Sequence, residues 1–243
     1  MAETELVGST VVTEPAETAQ RIADELNALP SQTVQTLRRA RRRWSSSMQA
    51  ESPTTVLAVA ETLITKINPR FVAYELVLHN PGALVLVDQR VALRLAGAMC
   101  SWGDVDAFST LIAGPAWLGR HLPDEAIHEW AGSSSRWWRR AALVSTTGLN
   151  VPNRGGTGDT GRTLAVCQRL VRDRDDMVVK ALSWALRELA RHDPSSVASF
   201  VDKHSTDVAP RVRREVMNKL TTGVKGRRRQ GRPAHRPADE RAF

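Results

Sequence analysis

The sequence predicts an all-α protein, and three observations carry that prediction. Apolar residues recur at spacings of three and four along most of the chain, and no stretch alternates apolar with polar between hairpin turns. The periodic segments run for roughly 10 to 17 residues and are separated by short turns containing proline or asparagine. Helices of that length on short connections pack as antiparallel neighbours, so an α-solenoid of stacked helix pairs with a concave face is expected, with a compact helical bundle as the competing arrangement.

The elements follow in order. Residues 1–14 are polar and aperiodic and are expected to be flexible. Pro15 opens a segment that places Ile22, Leu26 and Leu29 on one face, and Pro30 closes it. Ser31 to Met48 carries Leu37 on its apolar side together with Arg38, Arg39, Arg41, Arg42 and Arg43; these cannot share one helix face, so part of the run is solvated. After Ser52-Pro53, the residues Val56, Val59, Ala60, Leu63 and Ile67 fall at helical spacing. Asn68-Pro69 ends that segment and starts Phe71 to Leu78, which Asn80-Pro81 ends in turn. Further periodic segments cover about 83–99, 102–113, 123–131, 135–147, 161–172, 175–191, 194–204 and 208–222. The period is not strict, so HEAT-like repeats are inferred from helix pairing and not from repeated sequence. One folded domain over 15–223 is expected, with a basic disordered tail at 224–243 that lacks the apolar content to fold.

A chain of 243 residues can bury a substantial core without disulfides or metals. Its net charge of +8 is unevenly placed: residues 1–37 are net acidic, whereas 38–43 and 225–243 each sum to +5. Such clusters favour a polyanionic partner or serve only solubility. Two cysteines, Cys100 and Cys167, give neither a disulfide framework nor a zinc site, which fits a reducing compartment. No apolar run approaches a membrane span, and Met-Ala-Glu-Thr-Glu-Leu is no signal peptide, so a cytoplasmic protein is expected. His121 and His128 lack metal spacing, and no Gly-x-Ser-x-Gly turn supports a hydrolase triad. From Gly156 the chain mimics a phosphate-binding loop, Gly-x-x-x-x-Gly-Arg-Thr, but arginine replaces the required lysine and no strand precedes it. Residues 150–161 therefore read as a flexible interhelical loop.

Three stretches carry candidate chemistry. In Val178 to Arg191, Lys180, Trp184, Arg187 and Arg191 fall within about 60° of one another, opposite Val178, Leu182, Leu186 and Leu189. A tryptophan on the basic face either packs on a further helix or meets a polyanion with flat apolar sugars. In Ser101 to Asp106, Ser101 and Asp104 make a capping box, while Trp102 and Asp106 share the face opposite Val105, Phe108, Leu111 and Ile112. Asp106 is then a functional carboxylate, a solvated one, or one paired with a neighbouring arginine. In Trp130 to Val144 a serine caps a helix whose core stripe is Trp137, Ala141 and Val144; Arg136, Arg139 and Arg140 point elsewhere, toward phosphates or toward acids of adjacent helices.

These residues carry a resemblance. Ser101-Trp102-x-x-x-Asp106, Trp130-Ala-x-Ser with Trp137-Trp138-Arg139-Arg140-Ala141-Ala142, and Lys180-Ala-Leu-Ser-Trp184-Ala-Leu-Arg187-Glu188 resemble the DNA alkylation repair glycosylases of the AlkD type, in order and approximate spacing. The later Pro194-x-x-Val197-x-x-Phe200 matches too, and the resemblance spans roughly residues 35–222. It implies a curved array of HEAT-like helix pairs whose concave face holds duplex DNA. The implied activity is hydrolysis of the N-glycosidic bond of cationic alkylated purines such as 7-methylguanine and 3-methyladenine, without base flipping; a monomer is expected, and an ionised Asp106 suits that chemistry without a metal or cofactor. By position, Asp106 resembles the catalytic carboxylate, Trp102 and Trp184 the aromatics that contact the lesion's sugar and backbone, and Arg187 and Arg140 the phosphate-binding arginines. Adjacent Arg139 allows a register slip. Lys180 shares the basic face of Trp184, and the loop at 150–161 is longer than the family's usual connection.

The residue types suit that chemistry. A cationic purine leaves without being protonated, and a carboxylate stabilises the charge left on the deoxyribose. At 4 Å and an effective dielectric near 20 this is worth up to about 4 kcal/mol, or about three decades of rate. A noncatalytic HEAT-repeat protein that binds damaged or branched DNA is the alternative, and a protein-interaction scaffold a third.

Overall fold

A computed structural model describes residues 15–31, 33–67 and 70–225. The expected flexible N-terminus (1–14), the Asn68-Pro69 break and all but the first two residues of the basic tail lie outside the described residues. Among the described residues the chain is all-α, without a strand. Its helices are α1 (Pro15–Asn27), α2 (Val34–Ser47), α3 (Pro53–Thr62), α4 (Arg70–His79), α5 (Pro81–Val85), α6 (Gln89–Ala96) and α7 (Trp102–Phe108). There follow α8 (Gly114–Leu118), α9 (Asp124–Ala131), α10 (Arg136–Asn150), α11 (Thr160–Arg169), α12 (Asp176–Leu189), α13 (Pro194–Lys203) and α14 (Pro210–Thr222).

Short polar side chains start most of these helices by accepting an otherwise orphaned backbone N–H. Ser52, Asn80, Asp88, Ser101, Asp159 and Asp193 each cap the residue three positions on. Two of the expected segments divide differently. The segment at 83–99 is two helices, because the Asp88 carboxylate accepts from Val91 N–H at 2.8 Å and opens α6. The segment at 102–113 starts as α7, widens into a π-helical turn at Ser109–Ala113 and runs on into α8, a helix the periodicity does not separate. That widening brings backbone against backbone: a Cβ on Gly148 would lie 2.6 Å from the Gly114 carbonyl carbon, so α8 and α10 meet only as glycine on glycine.

Helix α10 is the centre. It packs against α7, α8, α9, α11 and α12, and each of its residues from Arg140 to Asn150 is buried. Val178, Leu182, Leu186 and Leu189 of α12 are buried as their spacing predicts, and α12 bridges α10 to α14. Tyr74, Phe108, Trp130 and Trp138 form one aromatic cluster, with neighbouring ring centroids between 5.0 and 6.2 Å apart. Burying such rings removes large apolar areas from water. Trp137 packs against the core beneath the Arg136 guanidinium, 4.7 Å above its ring. No described helix is long and apolar enough to cross a membrane.

Candidate functional site

The start of α7 is fixed from both sides. Ser101 accepts from Asp104 N–H, and one Asp104 carboxylate oxygen accepts from Ser101 N–H at 3.1 Å and Cys100 N–H at 3.3 Å, completing the predicted capping box. Arg70 lies 4.0 Å from the other Asp104 oxygen and donates to the Ala96 carbonyl at 2.6 Å, which ties this turn to α4 and α6. With Asp104 so occupied, the opposite face of α7 is left open. There Trp102 stands 60% exposed and Asp106 lies one turn on.

Asp106 is paired. Arg140 donates through Nε to Oδ1 at 2.9 Å and through Nη2 to Oδ2 at 2.8 Å, a bidentate fork, while its Nη1 donates to the Met177 carbonyl at 2.6 Å. Arg140 is only 6% exposed, so it joins α7, α10 and α12 from inside. Its neighbours behave alike. Arg139 pairs with Asp173 at 2.7 Å and donates to the Ser133 and Ser134 carbonyls, and Arg136 lies 3.7 Å from Asp175. Of the two readings open for these arginines, the geometry realises pairing with acids; Arg140 faces Asp106 instead of solvent.

Helix α12 supplies the facing wall. Trp184 is half-buried and donates from Nε1 to Glu188 at 3.2 Å. Lys180 reaches back one turn to Asp176 at 2.6 Å, and that hydrogen bond holds the Asp176 carboxyl below its ordinary range. Arg187 donates to Ser183 Oγ at 3.3 Å and lies 4.0 Å from Glu215. Its partial burial pushes its pKa down, and the charges of Glu215 and Glu188 act in the opposite sense. Beneath it, Ser183 donates to Glu215 at 2.7 Å; Arg211 and Lys225 crowd the same carboxylate at 3.0 and 3.6 Å.

These side chains face one groove of about 430 Å³, lined by Trp102, Asp106, Arg140, Met177, Lys180, Trp184, Arg187, Arg211 and Lys225. All six residues picked from the sequence lie on it. The groove continues past Trp102, Asp106 and Trp184 into a more apolar compartment of about 830 Å³ bounded by Leu26 and Leu37 of α1 and α2, Arg70, Phe71 and Val72 of α4, Thr110 and Arg154. Arg41 of the arginine run belongs to this wall, paired with Glu75 at 2.9 Å and stacked 4.6 Å over Phe71. Sequence reasoning did not single out Met177, Arg211, Phe71 or Arg154. Arg41 and Lys225 carried a signal, their places in the basic run and at the start of the basic tail.

The loop after α10 is fastened, contrary to the expectation of a flexible connection. Asn150 donates to the Thr146 carbonyl and to Thr163 Oγ1, both at 2.8 Å, and accepts from Asp159 N–H at 3.1 Å. Gly158 N–H reaches back to the Leu149 carbonyl at 3.0 Å, and His192 Nε2 lies 2.6 Å from the Asn150 carbonyl. Arg162 of the phosphate-loop mimic is engaged structurally: it bonds Asp159 at 2.6 Å and the Trp117 carbonyl at 2.9 Å, and stacks 5.1 Å over Trp117. Among the described residues no group of three or more His, Cys, Asp or Glu side chains is arranged to hold a metal ion.

A carboxylate between two tryptophans, in a groove whose other ionisable side chains are cationic, can hold an anionic backbone and stabilise positive charge at one point along it. A family model described as DNA alkylation repair enzyme matches residues 12–220. No curated protein and no solved structure matches the chain.

Proposed function

The chain belongs to the DNA alkylation repair enzyme family, and from that premise we propose that it is a DNA glycosylase acting on cationic alkylated purines, such as 7-methylguanine and 3-methyladenine, in duplex DNA without flipping the base. The observation that carries this reading is the convergence of Trp102, Asp106, Arg140, Lys180, Trp184 and Arg187, drawn from three helices, on one groove.

The chemistry runs as follows. The C1′–N bond breaks with its electron pair passing to the purine, which departs neutral, and positive charge develops on the deoxyribose. Asp106 faces that charge, and a water adds to C1′ and gives up its proton to Asp106 or to solvent. Arg140 has a positioning role: its two bonds fix both carboxylate oxygens, so no rotamer search is needed when the charge appears. Trp102 and Trp184 offer aromatic faces to the sugar and to the cationic base, while Lys180 and Arg187 hold phosphates on either side.

An array of HEAT-like pairs with a concave DNA-binding face is supported by how the helices pack. Next-but-one partners meet, α1 on α3, α8 on α10, α10 on α12 and α12 on α14, and the groove side chains come from α7, α10, α12 and α14.

The test is base release from a duplex carrying one 7-methylguanine, comparing the protein with Asp106→Asn at matched folded content. Release by the wild type alone is the expected result. Equal release by both would move the chemistry to another residue. No release by either, with tight duplex binding, would favour the noncatalytic DNA-binding protein.

A further inference from the structure

Arg154 sits at the end of a short 3₁₀ turn, Pro152–Arg154, in the loop between α10 and α11. That loop is built to hold its shape. Beyond the anchoring of Asn150, Gly155 adopts φ +83° and Gly158 φ +95°, and a Cβ on Gly156 would lie 2.6 Å from the Leu149 carbonyl carbon. Three glycines are therefore required where side chains would strain or collide. What this shape delivers to the groove is the Arg154 side chain, beside Thr110, Asp106 and Trp184.

The arginines of α10, α11 and the loop between them differ in how far they are spent. The guanidinium groups of Arg140 and Arg139 each make three hydrogen bonds, and that of Arg162 two, to carboxylates and backbone carbonyls. Arg154 makes one among the described residues, from Nη1 to Thr147 Oγ1 at 3.3 Å, out of five N–H donors. Partial burial pushes the Arg154 pKa down, and the charge of Glu188, which already accepts from Trp184 and Arg191, acts in the opposite sense. An exposed guanidinium with free donors, held on a rigid loop at the edge of a cleft, is arranged for an external bidentate acceptor.

Its position says which one. Arg154 lines the compartment on one side of Trp102, Asp106 and Trp184, whereas Lys180, Arg187 and Arg211 line the groove on the other. We propose that Arg154 binds a DNA phosphate on the side of Asp106 opposite Lys180 and Arg187, so that one strand is gripped across the reacting sugar by two sets of cations on separate elements. This rests on the reading of the groove as a duplex site, and it gives the glycine-bearing loop a purpose.

The experiment is equilibrium binding to a lesion-free duplex across a salt series for the wild type, Arg154→Ala, Arg154→Gln, Arg154→Lys, Arg187→Ala and Arg169→Ala. Arg169 is exposed on α11 and lines neither compartment. Arg154→Ala should weaken binding about tenfold at moderate salt and make the slope of log affinity against log salt shallower by about 0.9. Arg154→Gln, which keeps a donor for Thr147, should lose the slope equally; Arg154→Lys should retain it, and Arg169→Ala should change neither, all compared at matched folded fraction. Wild-type behaviour of Arg154→Ala with weakened Arg187→Ala would overturn the proposal and leave the duplex groove standing. Equal losses in Arg154→Ala and Arg169→Ala would reduce Arg154 to bulk charge and overturn it too. Absence of duplex binding by the wild type would remove both.

Discussion

The Asp106–Arg140 fork makes a prediction that neither residue makes alone. Suppose the cationic deoxyribose lies about 4 Å from the Asp106 carboxylate, with the guanidinium behind it at about 8 Å; at an effective dielectric near 20 the attraction is about 4 kcal/mol and the repulsion about 2. The fork as a unit then contributes about 2 kcal/mol. Asp106→Asn removes the attraction and leaves the repulsion, a change of about 4 kcal/mol, so base release should slow by about three decades. Adding Arg140→Gln to that variant removes the repulsion as well, and the double variant should recover about 1.5 decades, remaining about thirtyfold below the wild type. Stability should move in the same direction. The single variant strands a buried guanidinium whose side chain is 7% exposed, and breaking a buried pair costs about 3–5 kcal/mol, whereas neutral Asn and Gln side chains leave no buried charge unpaired. The assay is single-turnover release of 7-methylguanine from duplex DNA for the four proteins of the cycle, alongside their thermal melts. A double variant no faster than Asp106→Asn, at equal folded fraction, would refute the argument that the Arg140 charge is felt at the reacting carbon.

Two further outcomes are expected. Trp102→Ala should cut base release at least tenfold while leaving the melting temperature within about 2 °C of the wild type, because the ring is mostly solvent-facing, whereas Trp184→Ala should lose activity and stability together; an equal thermal loss in both would refute the division of roles. Acid should destabilise the fold in a defined window. Burial pushes the Glu215 carboxyl up, but hydrogen bonds from Ser183 and Arg211 and the charges of Lys225 and Arg211 outweigh it, leaving it below its ordinary value of 4.5. The backbone N–H and hydroxyl of Ser196, with Thr160 and Ser195, hold Asp193 well below its ordinary 3.8. A depressed folded pKa adds stability above the unfolded value and loses it as pH falls through the folded one. The melting temperature should therefore be flat above about pH 5 and fall steadily below pH 4, and Glu215→Gln should be less stable at pH 7 with a shallower acid decline; an unchanged decline would remove Glu215 from the account.

Much of this was legible in the sequence because it is local. The Ser101–Asp104 capping box and the α12 face carrying Lys180, Trp184 and Arg187 depend on spacings of three and four, which a helix enforces wherever it packs. The division of 83–99 at Asp88 was local too, but its aspartate cap was hidden inside an apolar run. What stayed illegible is tertiary. Nothing in the chain says that Asp106 will meet an arginine 34 positions away and not water, or that Arg139 will meet Asp173. Gly114 and Gly148 look like helix-weakening residues until their backbones are seen to touch. Arg154 lay in a stretch whose composition read as slack, and its fastening runs through Asn150 of α10, Thr163 of α11 and His192 in the turn after α12.

Under the proposed function, the Asp106–Arg140 pairing that first looks like a cost to catalysis follows from the charge of the DNA backbone. A bare carboxylate facing the groove would meet phosphates on both sides of the target sugar. At about 7 Å and an effective dielectric near 20, each phosphate repels it by about 2 kcal/mol. Two such terms would offset the whole of the attraction calculated for the reacting centre, and the duplex would bind with its sugar turned away from Asp106. In the proposed complex, Arg140 bonded to the carboxylate, and Arg187, Lys180 and Arg154 on the groove walls, would oppose that repulsion at its sources by neutralising Asp106 and the phosphates locally. The carboxylate's full field would then be felt only by a charge closer than its partners, a condition that the deoxyribose cation of the proposed reaction would meet.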